Sequence, residues 1–171
     1  WRFYVRESRE GVAVHRLWLY PAVGAGAARL LNYASFSLTA FLGLLRATRP
    51  DYLFVESPPL SLGVTAVVAA RLWSVPFIFN VADLWPDVVR ELGVLSDGYM
   101  LRAAERLERW IYRRAAYITT ITDGIRTALV TQKGVPAQKV LFLPNAVDTE
   151  TFRPAPPDEA LARRLGLTGK K

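Results

Sequence analysis

The stretch Pro76-Phe-Ile-Phe-Asn-Val-Ala-Asp-Leu-Trp-Pro-Asp87 joins an apolar run to a polar segment and a helix start. Its first six residues predict a short strand buried on both faces, because an uninterrupted apolar run suits a parallel sheet. Asp83 follows two residues later, and Pro86 suits the first turn of a helix, where its missing N–H is not needed. The stretch therefore predicts a strand that delivers a carboxylate to its carboxyl end, with a helix beginning at once.

Strand and helix patterns alternate on both sides of this stretch. Strands are predicted at residues 12–20, 52–55, 76–81, 117–121 and 139–143. Helices are predicted at about 24–45, 60–73, 98–114 and 123–133, with a short helix after Asp83 that Gly93 closes. Because helices alternate with continuous apolar strands, the order predicts an α/β fold: a Rossmann-like parallel sheet with helices on both faces.

Prolines mark the end of this unit. Residues 1–143 form the predicted Rossmann-like domain, which we expect to be incomplete at its start. Four prolines between residues 144 and 157 define an interdomain linker, and its Phe152 is expected to pack against one domain. A helical start follows, so residues 158–171 are predicted to begin a second domain that is truncated.

Two uncharged stretches, residues 30–45 and 57–70, fall short of the roughly 20 apolar residues that a membrane span requires. Both are therefore predicted as core helices. In the first helix, one face carries Leu30, Ala34, Leu38, Phe41 and Leu45. We expect this apolar face to pack in the core.

Charge and composition favour one class of binding partner and exclude several kinds of functional site. The 171 residues include 22 Lys and Arg against 15 Asp and Glu, a net charge of +7 that favours an anionic partner. Residues 51–97 carry six acidic and two basic side chains, so the acidic middle lies in a basic body. The chain has no cysteine and only one histidine, His15, which excludes disulfides, thiolate catalysis and Cys- or His-rich metal sites, and fits a reducing cytoplasm.

Polar residues follow each predicted strand of the sheet, where ligands bind in open α/β folds. These candidates are Glu56, Ser57, Asn80, Asp83, Thr122, Asp123 and Asn145, to which the helix start adds Trp85 and Asp87. Residue types alone leave Asp83 open between a helix N-cap and a base or hydroxyl-binding group. Glu56 is likewise open between a binding group and a solvated side chain on a turn stiffened by Pro58 and Pro59.

Four motifs occur in order along the chain: Glu56-Ser-Pro-Pro59, Asn80-Val-Ala-Asp-Leu-Trp-Pro-Asp87, Arg113-Arg-Ala-Ala-Tyr-Ile-Thr-Thr-Ile-Thr-Asp-Gly124 and Pro144-Asn-Ala-Val-Asp148. Together they resemble family 4 glycosyltransferases of the GT-B type. Within that family they look like the bacterial colanic acid and O-antigen enzymes, including N-acetylfucosamine transferases. The resemblance extends from about residue 12 to residue 165.

The resemblance implies a retaining enzyme that transfers a sugar from a nucleotide-sugar to a saccharide acceptor, which in such enzymes can be linked to polyprenyl diphosphate. It implies a role in lipopolysaccharide or other cell-surface polysaccharide synthesis. It implies no metal and no other cofactor. The first half of such enzymes holds mainly the acceptor, and Asp83 stands where relatives place a cleft residue, often histidine. It also implies an opening strand ahead of Trp1 and a donor-binding domain beyond Lys171, so the chain alone is expected to be inactive.

The helix predicted over residues 98–114 suggests a contact with an anionic membrane. Its candidates are Arg102, Arg106, Arg109 and Arg113, which share one face, and Trp110 near the basic edge, with Tyr112 beside it. A lipid-linked acceptor would place the enzyme in the cytoplasm at the inner face of the plasma membrane. The alternative is a solvated helix whose charges pair along it, as Glu105 and Arg109 would.

Other classes of protein fit less well. A nucleic-acid-binding protein would show an aromatic and basic platform or a helix-turn-helix, and neither is present in the sequence. A dinucleotide-binding oxidoreductase would carry Gly-x-Gly-x-x-Gly, but Gly24-Ala-Gly26 is followed by Arg29. The alternative that stays open is a non-catalytic α/β binding or interaction module.

Overall fold

The computed structural model describes residues 3–22, 27–91 and 98–167. The strands are β1 (Tyr4–Arg9), β2 (Val12–Leu17), β3 (Leu53–Ser57), β4 (Phe77–Val81), β5 (Tyr117–Thr120) and β6 (Val140–Phe142). The helices are α1 (Ala27–Leu44), α2 (Ser61–Trp73), α3 (Trp85–Glu91), α4 (Tyr99–Arg114), α5 (Asp123–Thr131) and α6 (Glu159–Arg164). A 3₁₀ turn spans Ala137–Lys139. The predicted helix end at Gly93 and the Gly24-Ala-Gly26 segment lie outside the described residues.

Strands β3 to β6 form a parallel sheet in the order of the sequence, flanked by helices. Side chains such as Phe79 and Ile118 are fully buried in its centre. They belong to a core cluster that includes Ala66 on α2, Ile111 on α4 and Leu129 on α5. The α/β fold class with a parallel sheet, predicted from the alternating pattern, is confirmed.

An antiparallel hairpin, β1 with β2, precedes the sheet and was not predicted. Its two-residue turn is formed by Glu10 and Gly11, whose φ angles of 51° and 82° are both positive, as a tight hairpin turn requires. The hydroxyl of Tyr4 and Nδ1 of His15 lie 2.8 Å apart across the pair. The predicted strand over residues 12–20 therefore ends earlier, at Leu17, and pairs outside the parallel sheet.

The face of α1 that was expected in the core is exposed instead. Leu30, Leu38 and Leu45 have 43%, 62% and 52% of their surface accessible. Apolar periodicity identified a continuous face on this helix, but not which side of the helix meets the rest of the fold. No helix among the described residues combines the length and apolar character needed to cross a membrane.

Polar side chains form the inward contact of α1. The hydroxyls of Ser37 and Ser61 lie 2.7 Å apart, which joins α1 to α2. Thr65 of α2 donates to the carbonyl oxygen of Ser37 at 3.0 Å. On the other side, Thr39 donates to the carbonyl oxygen of Trp18 at 2.7 Å, next to the end of β2. These small side chains satisfy one another at the contact, so burying them carries little desolvation cost.

A close approach between α2 and α4 explains the glycine at position 63. A Cβ atom built on Gly63 would lie 2.6 Å from Cδ1 and 2.8 Å from Cγ2 of Ile111. Ile111 is fully buried, so it would have to shift against packed neighbours to make room for the added atom. The glycine therefore sets how closely the two helices pack.

We expect Gly63→Ala to lower the free energy of unfolding by about 1–3 kcal/mol, because the added methyl group overpacks the core. Urea unfolding followed by circular dichroism measures the change. Gly124→Ala is the matched control, since the nearest atom to its added Cβ is 3.9 Å away. The control is expected to keep or slightly raise stability, and equal losses in both variants would contradict the packing argument.

Candidate functional site

The carboxyl ends of the four parallel strands lie side by side. Ser57 pairs with Val81, Val81 with Thr120, and Thr120 with Phe142. The chain leaves β4, β5 and β6 at this same edge, and the segments that follow carry Asp83, Thr122 and Asn145. The structure thus brings the strand-end candidates to one edge of the sheet.

Three of these candidates lie on the neighbouring strands β3 and β4. Glu56 is exposed and pairs in register with Asn80 of β4. Asn80 is buried, and its Oδ1 accepts a hydrogen bond from the hydroxyl of Thr119 at 2.9 Å. Ser57 is also buried, with 2% of its surface accessible. Asn80 therefore ties β4 to β5, and Glu56 is the more accessible polar group at this edge.

Asp83 lies between β4 and α3 and is half-buried. Its carboxylate takes no hydrogen bond and no ion pair from any other described residue. The helix after it starts at Trp85, without a cap from Asp83 within the described ranges. This arrangement leaves a carboxylate that can accept a hydrogen bond or a proton from a ligand at the edge.

Trp85 and Asp87 face the protein interior rather than the open edge. Trp85 is half-buried and packs against the core cluster. Oδ1 of Asp87 lies 3.2 Å from Arg90, and Oδ2 lies 2.5 Å from Nζ of Lys133. Both oxygens of Asp87 therefore have ionic partners, the exposed Arg90 and the largely buried Lys133, which gives this residue a structural contact in addition to its predicted binding role.

Lys133 joins three helical segments through a buried charge cluster, which we define as Asp87, Glu108 and Lys133. Its Nζ lies 3.0 Å from Oε2 of Glu108, a residue with 1% of its surface accessible. The hydroxyl of Tyr112 donates to Oε1 of Glu108 at 2.9 Å. Asp87 lies on α3, Glu108 on α4, and Lys133 just after α5. The cluster thus fixes α3, which directly follows Asp83, against α4 and α5.

The pKa values of the cluster reflect both burial and pairing. Burial raises the pKa of Glu108 above its ordinary value, although Lys133 and Tyr112 oppose this change. Burial would lower the pKa of Lys133, but the carboxylates of Asp87 and Glu108 outweigh it and raise that pKa. Burial and the neighbouring Glu108 also raise the pKa of Tyr112. Lys133 therefore stays a cation, and Tyr112 stays a hydrogen-bond donor.

The buried charge cluster was not predicted from the sequence, although one signal was available. Glu108 lies in the middle of the buried arc of α4, between Leu101 and Ile111. A carboxylate at a core position requires a buried partner, so the pattern itself called for a nearby cation. The sequence could not show that this cation is Lys133, 25 residues further along the chain.

The remaining strand-end candidates lie at the start of α5 and in the linker. The hydroxyl oxygen of Thr122 accepts a hydrogen bond from the backbone N–H of Ile125 at 3.2 Å and caps α5. Asp123 is exposed and lies 3.9 Å from Arg126. Asn145 is exposed after β6. Thr122 therefore has a structural role, which leaves Asp123 and Asn145 accessible.

The linker, residues 144–157, is exposed along its whole length. Phe152, expected to pack against a domain, has 71% of its surface accessible. The ordered contact lies instead at Asp148, whose carboxylate accepts from the hydroxyl of Thr151 at 2.6 Å and from the N–H of Glu150 at 3.0 Å. These bonds hold the pKa of Asp148 below its ordinary value, the hydroxyl of Thr151 contributing most. A local turn, not the aromatic ring, therefore shapes this segment.

The arginine face of α4, defined as Arg102, Arg106, Arg109 and Arg113, is exposed along its whole length. Its aromatic neighbours are placed differently from the expectation. Trp110 is half-buried, with the guanidinium of Arg114 4.7 Å from its ring centroid. Tyr112 is buried in the core. Glu105 lies 3.7 Å from Arg90 rather than pairing along the helix with Arg109.

Comparison with known proteins places the chain in a family. Residues 1–146 match the glycosyl transferase 4-like domain. The chain belongs to this family.

The described ranges contain no group of three or more His, Cys, Asp and Glu side chains that could hold a metal ion.

This glycosyl transferase 4-like chain matches two relatives over part of their length. It is 29% identical over 180 residues to the putative colanic acid biosynthesis glycosyl transferase WcaI of Escherichia coli (strain K12), covering 100% of the chain and 43% of the relative. It is 35% identical over 101 residues to the 2-deoxystreptamine glucosyltransferase of Streptomyces kanamyceticus, covering 58% of the chain and 26% of the relative. The chain thus spans less than half the length of these relatives.

Solved structures share the fold of this glycosyl transferase 4-like chain. Anabaena HepE in complex with UDP-glucose superposes with a TM-score of 0.51 at 18% identity, over 85% of this chain and 35% of HepE. The complex of HepE with UDP and glucose gives a TM-score of 0.50 over 86% of this chain and 35% of HepE. At this identity the likeness concerns the fold alone.

We expect Lys133→Met to lower the free energy of unfolding by about 3 kcal/mol, because it leaves two buried carboxylates without their cation. Chemical unfolding followed by tryptophan fluorescence measures the loss. Arg126→Met is the control, since it removes an exposed ion pair of 3.9 Å and is expected to cost less than about 1 kcal/mol. A loss in Lys133→Met no larger than in the control would show that the cluster is not a structural contact.

Proposed function

We propose that this chain is the acceptor-side half of a retaining glycosyltransferase that transfers a sugar from a nucleotide-sugar to a saccharide acceptor. The observation that carries the proposal is the match of residues 1–146 to the glycosyl transferase 4-like domain. The accessible carboxylates at the carboxyl edge of the sheet supply a site of the right chemistry. A half-enzyme is consistent with a chain that covers 43% of one relative and 26% of another.

The relatives support the proposed donor. One relative is a glucosyltransferase, another is named for colanic acid biosynthesis, and the structural neighbour HepE was crystallised with UDP-glucose. We propose a nucleotide-sugar donor and a role in the synthesis of a bacterial cell-surface polysaccharide. The family resemblance adds an acceptor linked to polyprenyl diphosphate. In line with the family resemblance, the proposed reaction uses no metal and no other cofactor.

Asp83 and Glu56 are the groups proposed to act on the sugars. Transfer forms a bond between an acceptor oxygen and the anomeric carbon, while the bond from that carbon to the nucleotide diphosphate breaks. The acceptor hydroxyl must give up its proton during this exchange. Asp83, half-buried at the edge, can accept that proton or hold a sugar hydroxyl, and exposed Glu56 can accept a second hydroxyl. Ionised acceptors bind hydroxyls more strongly than neutral ones do.

We expect Asp83→Asn and Glu56→Gln to lower kcat/KM of the full-length protein by about 10- to 100-fold each, because each loses a charged acceptor. Transfer of radiolabelled sugar from the nucleotide donor to a lipid-linked acceptor measures the effect. Asp51→Asn is the matched control, since Asp51 is an exposed carboxylate just before the amino end of β3, away from the carboxyl edge. Full activity in both edge variants would reject the site, and no transfer by the parent would favour a non-catalytic module.

We further propose that the protein acts in the cytoplasm at the inner face of the plasma membrane. The support is the arginine face of α4, which presents four cations to solvent. Tyr99, at the start of the same helix, has 79% of its surface accessible and can supply an interfacial aromatic ring in place of Trp110. Each cation near an anionic surface contributes on the order of 1 kcal/mol.

We expect replacement of all four residues of the arginine face by glutamine to abolish sedimentation with phosphatidylglycerol vesicles, because it removes the cations that attract the anionic surface. Replacement of Arg6, Arg9, Arg163 and Arg164 by glutamine is the control, because it removes the same charge from other exposed positions. The control is expected to bind at least half as well as the parent. Equal binding by parent and arginine-face variant would overturn the membrane proposal.

A further inference from the structure

A concavity of about 280 Å³ lies near the amino end of the sheet, opposite the edge that carries Asp83. The second half of α4 forms one wall, and the segment between α5 and β6 forms the other. Its lining includes Arg109, Arg113, Lys133, Val135, Pro136 and Lys139. We call it the basic pocket. Four of these six side chains are cations, although only one of them has a carboxylate partner among the described residues.

Carboxylates of the described residues balance only part of the positive charge of the basic pocket. Lys133 is balanced by the two carboxylates of the buried charge cluster. Arg109 and Arg113 are exposed and form no ion pair within the described ranges. Glu105, the carboxylate one helical turn from Arg109, lies against Arg90 instead. The pocket therefore keeps a surplus of positive charge that comes from the two arginine side chains on one wall.

Lys139 completes this surplus from the second wall. Its Nζ donates to the carbonyl oxygens of Tyr112 at 2.7 Å and of Arg113 at 3.1 Å. These contacts cover the C-terminal carbonyls of α4, whose partial negative charge would otherwise repel an anion. Carbonyl oxygens do not neutralise an ammonium group, and burial lowers the pKa of Lys139. An anion placed in the pocket would supply the missing compensation.

We propose that the basic pocket binds a phosphate group through Arg109, Arg113 and Lys139. Two guanidinium groups on successive turns of one helix can each donate paired hydrogen bonds to phosphate oxygens, and an ammonium group adds a point charge. The pocket is large enough for such a group, with Val135 and Pro136 as its apolar lining. The site is separate from the carboxyl edge and does not depend on the transfer reaction proposed above.

Two sources can supply this phosphate. A soluble phosphate or diphosphate can enter directly, since Arg109 and Arg113 are exposed. A phospholipid headgroup can also reach it, because the same two side chains belong to the arginine face of α4, along with Arg102 and Arg106. The chemistry of recognition is the same in both cases, so the source is a question for experiment.

The test is a calorimetric titration of the full-length protein with inorganic pyrophosphate at low salt, in the presence of saturating UDP. UDP occupies the proposed donor site, so that remaining heat reports a second site. We expect the double variant Arg109→Gln/Arg113→Gln to bind pyrophosphate at least about 10-fold more weakly than the parent, because two charge-assisted contacts are lost. Arg102→Gln/Arg106→Gln removes the same charge from the same exposed face but lies outside the pocket lining, and is expected to bind within about threefold of the parent.

The outcomes distinguish binding of pyrophosphate in the basic pocket from non-specific attraction of pyrophosphate to the positively charged protein. Equal weakening in both double variants would show an effect of overall charge and overturn the proposal, as would no binding by the parent. Sedimentation with phosphatidylglycerol vesicles then identifies the source. If pyrophosphate displaces the parent but not Arg109→Gln/Arg113→Gln from the vesicles, the pocket holds a lipid headgroup. If it displaces neither while the calorimetric difference remains, the pocket takes a soluble phosphate.

Discussion

The contact on which this domain most depends is the ion pairing of Lys133 with Asp87 and Glu108 beneath the helices. A buried ammonium group must be compensated, and here two carboxylates from separate helices compensate it at 2.5 and 3.0 Å. This need for charge compensation affects the position of Asp83 as well as the stability of the domain. The reason is that α3, which carries Asp87, follows directly on the segment with Asp83. Ion pairing in the buried charge cluster thus helps to set where the edge carboxylate lies. The same lysine also lines the basic pocket.

Most of the parallel sheet could be predicted from sequence because its strands are continuous apolar runs bounded by polar or proline residues. For β4 the prediction and the structure differ by one residue at the start. The hairpin strand β1 was missed because Arg6, Glu7 and Arg9 interrupt its apolar pattern, although Glu10-Gly11 was a usable turn signal. For α1 the apolar face was predicted but its burial was wrong, since several inward contacts of the helix are made by small hydroxyl side chains that a hydropathy pattern treats as exposed.

The candidate site could be predicted as a place but not as a set of contacts. Topology alone brings the residues after β4, β5 and β6 to one edge, and the structure does so. Which candidate side chains have structural contacts and which remain accessible depends on three-dimensional packing, which the sequence does not show. Thr122 caps a helix and Asn80 bonds to Thr119, whereas Asp83 and Glu56 remain accessible. Family membership adds the reaction class, which neither the edge nor its polar groups could define.

The buried charge cluster also bears on how this domain can change during evolution. Its three members lie 21 and 25 residues apart along the chain, yet the charge of Lys133 compensates the charges of both carboxylates. A substitution that removes the ammonium group of Lys133 leaves two carboxylates in the interior without this cation. A substitution that removes one carboxylate leaves Lys133 with weaker charge compensation. Substitutions at positions 87, 108 and 133 are therefore expected to occur together. In diverging descendants, a neutral residue at position 133 is expected to be inherited alongside neutral residues at positions 87 and 108.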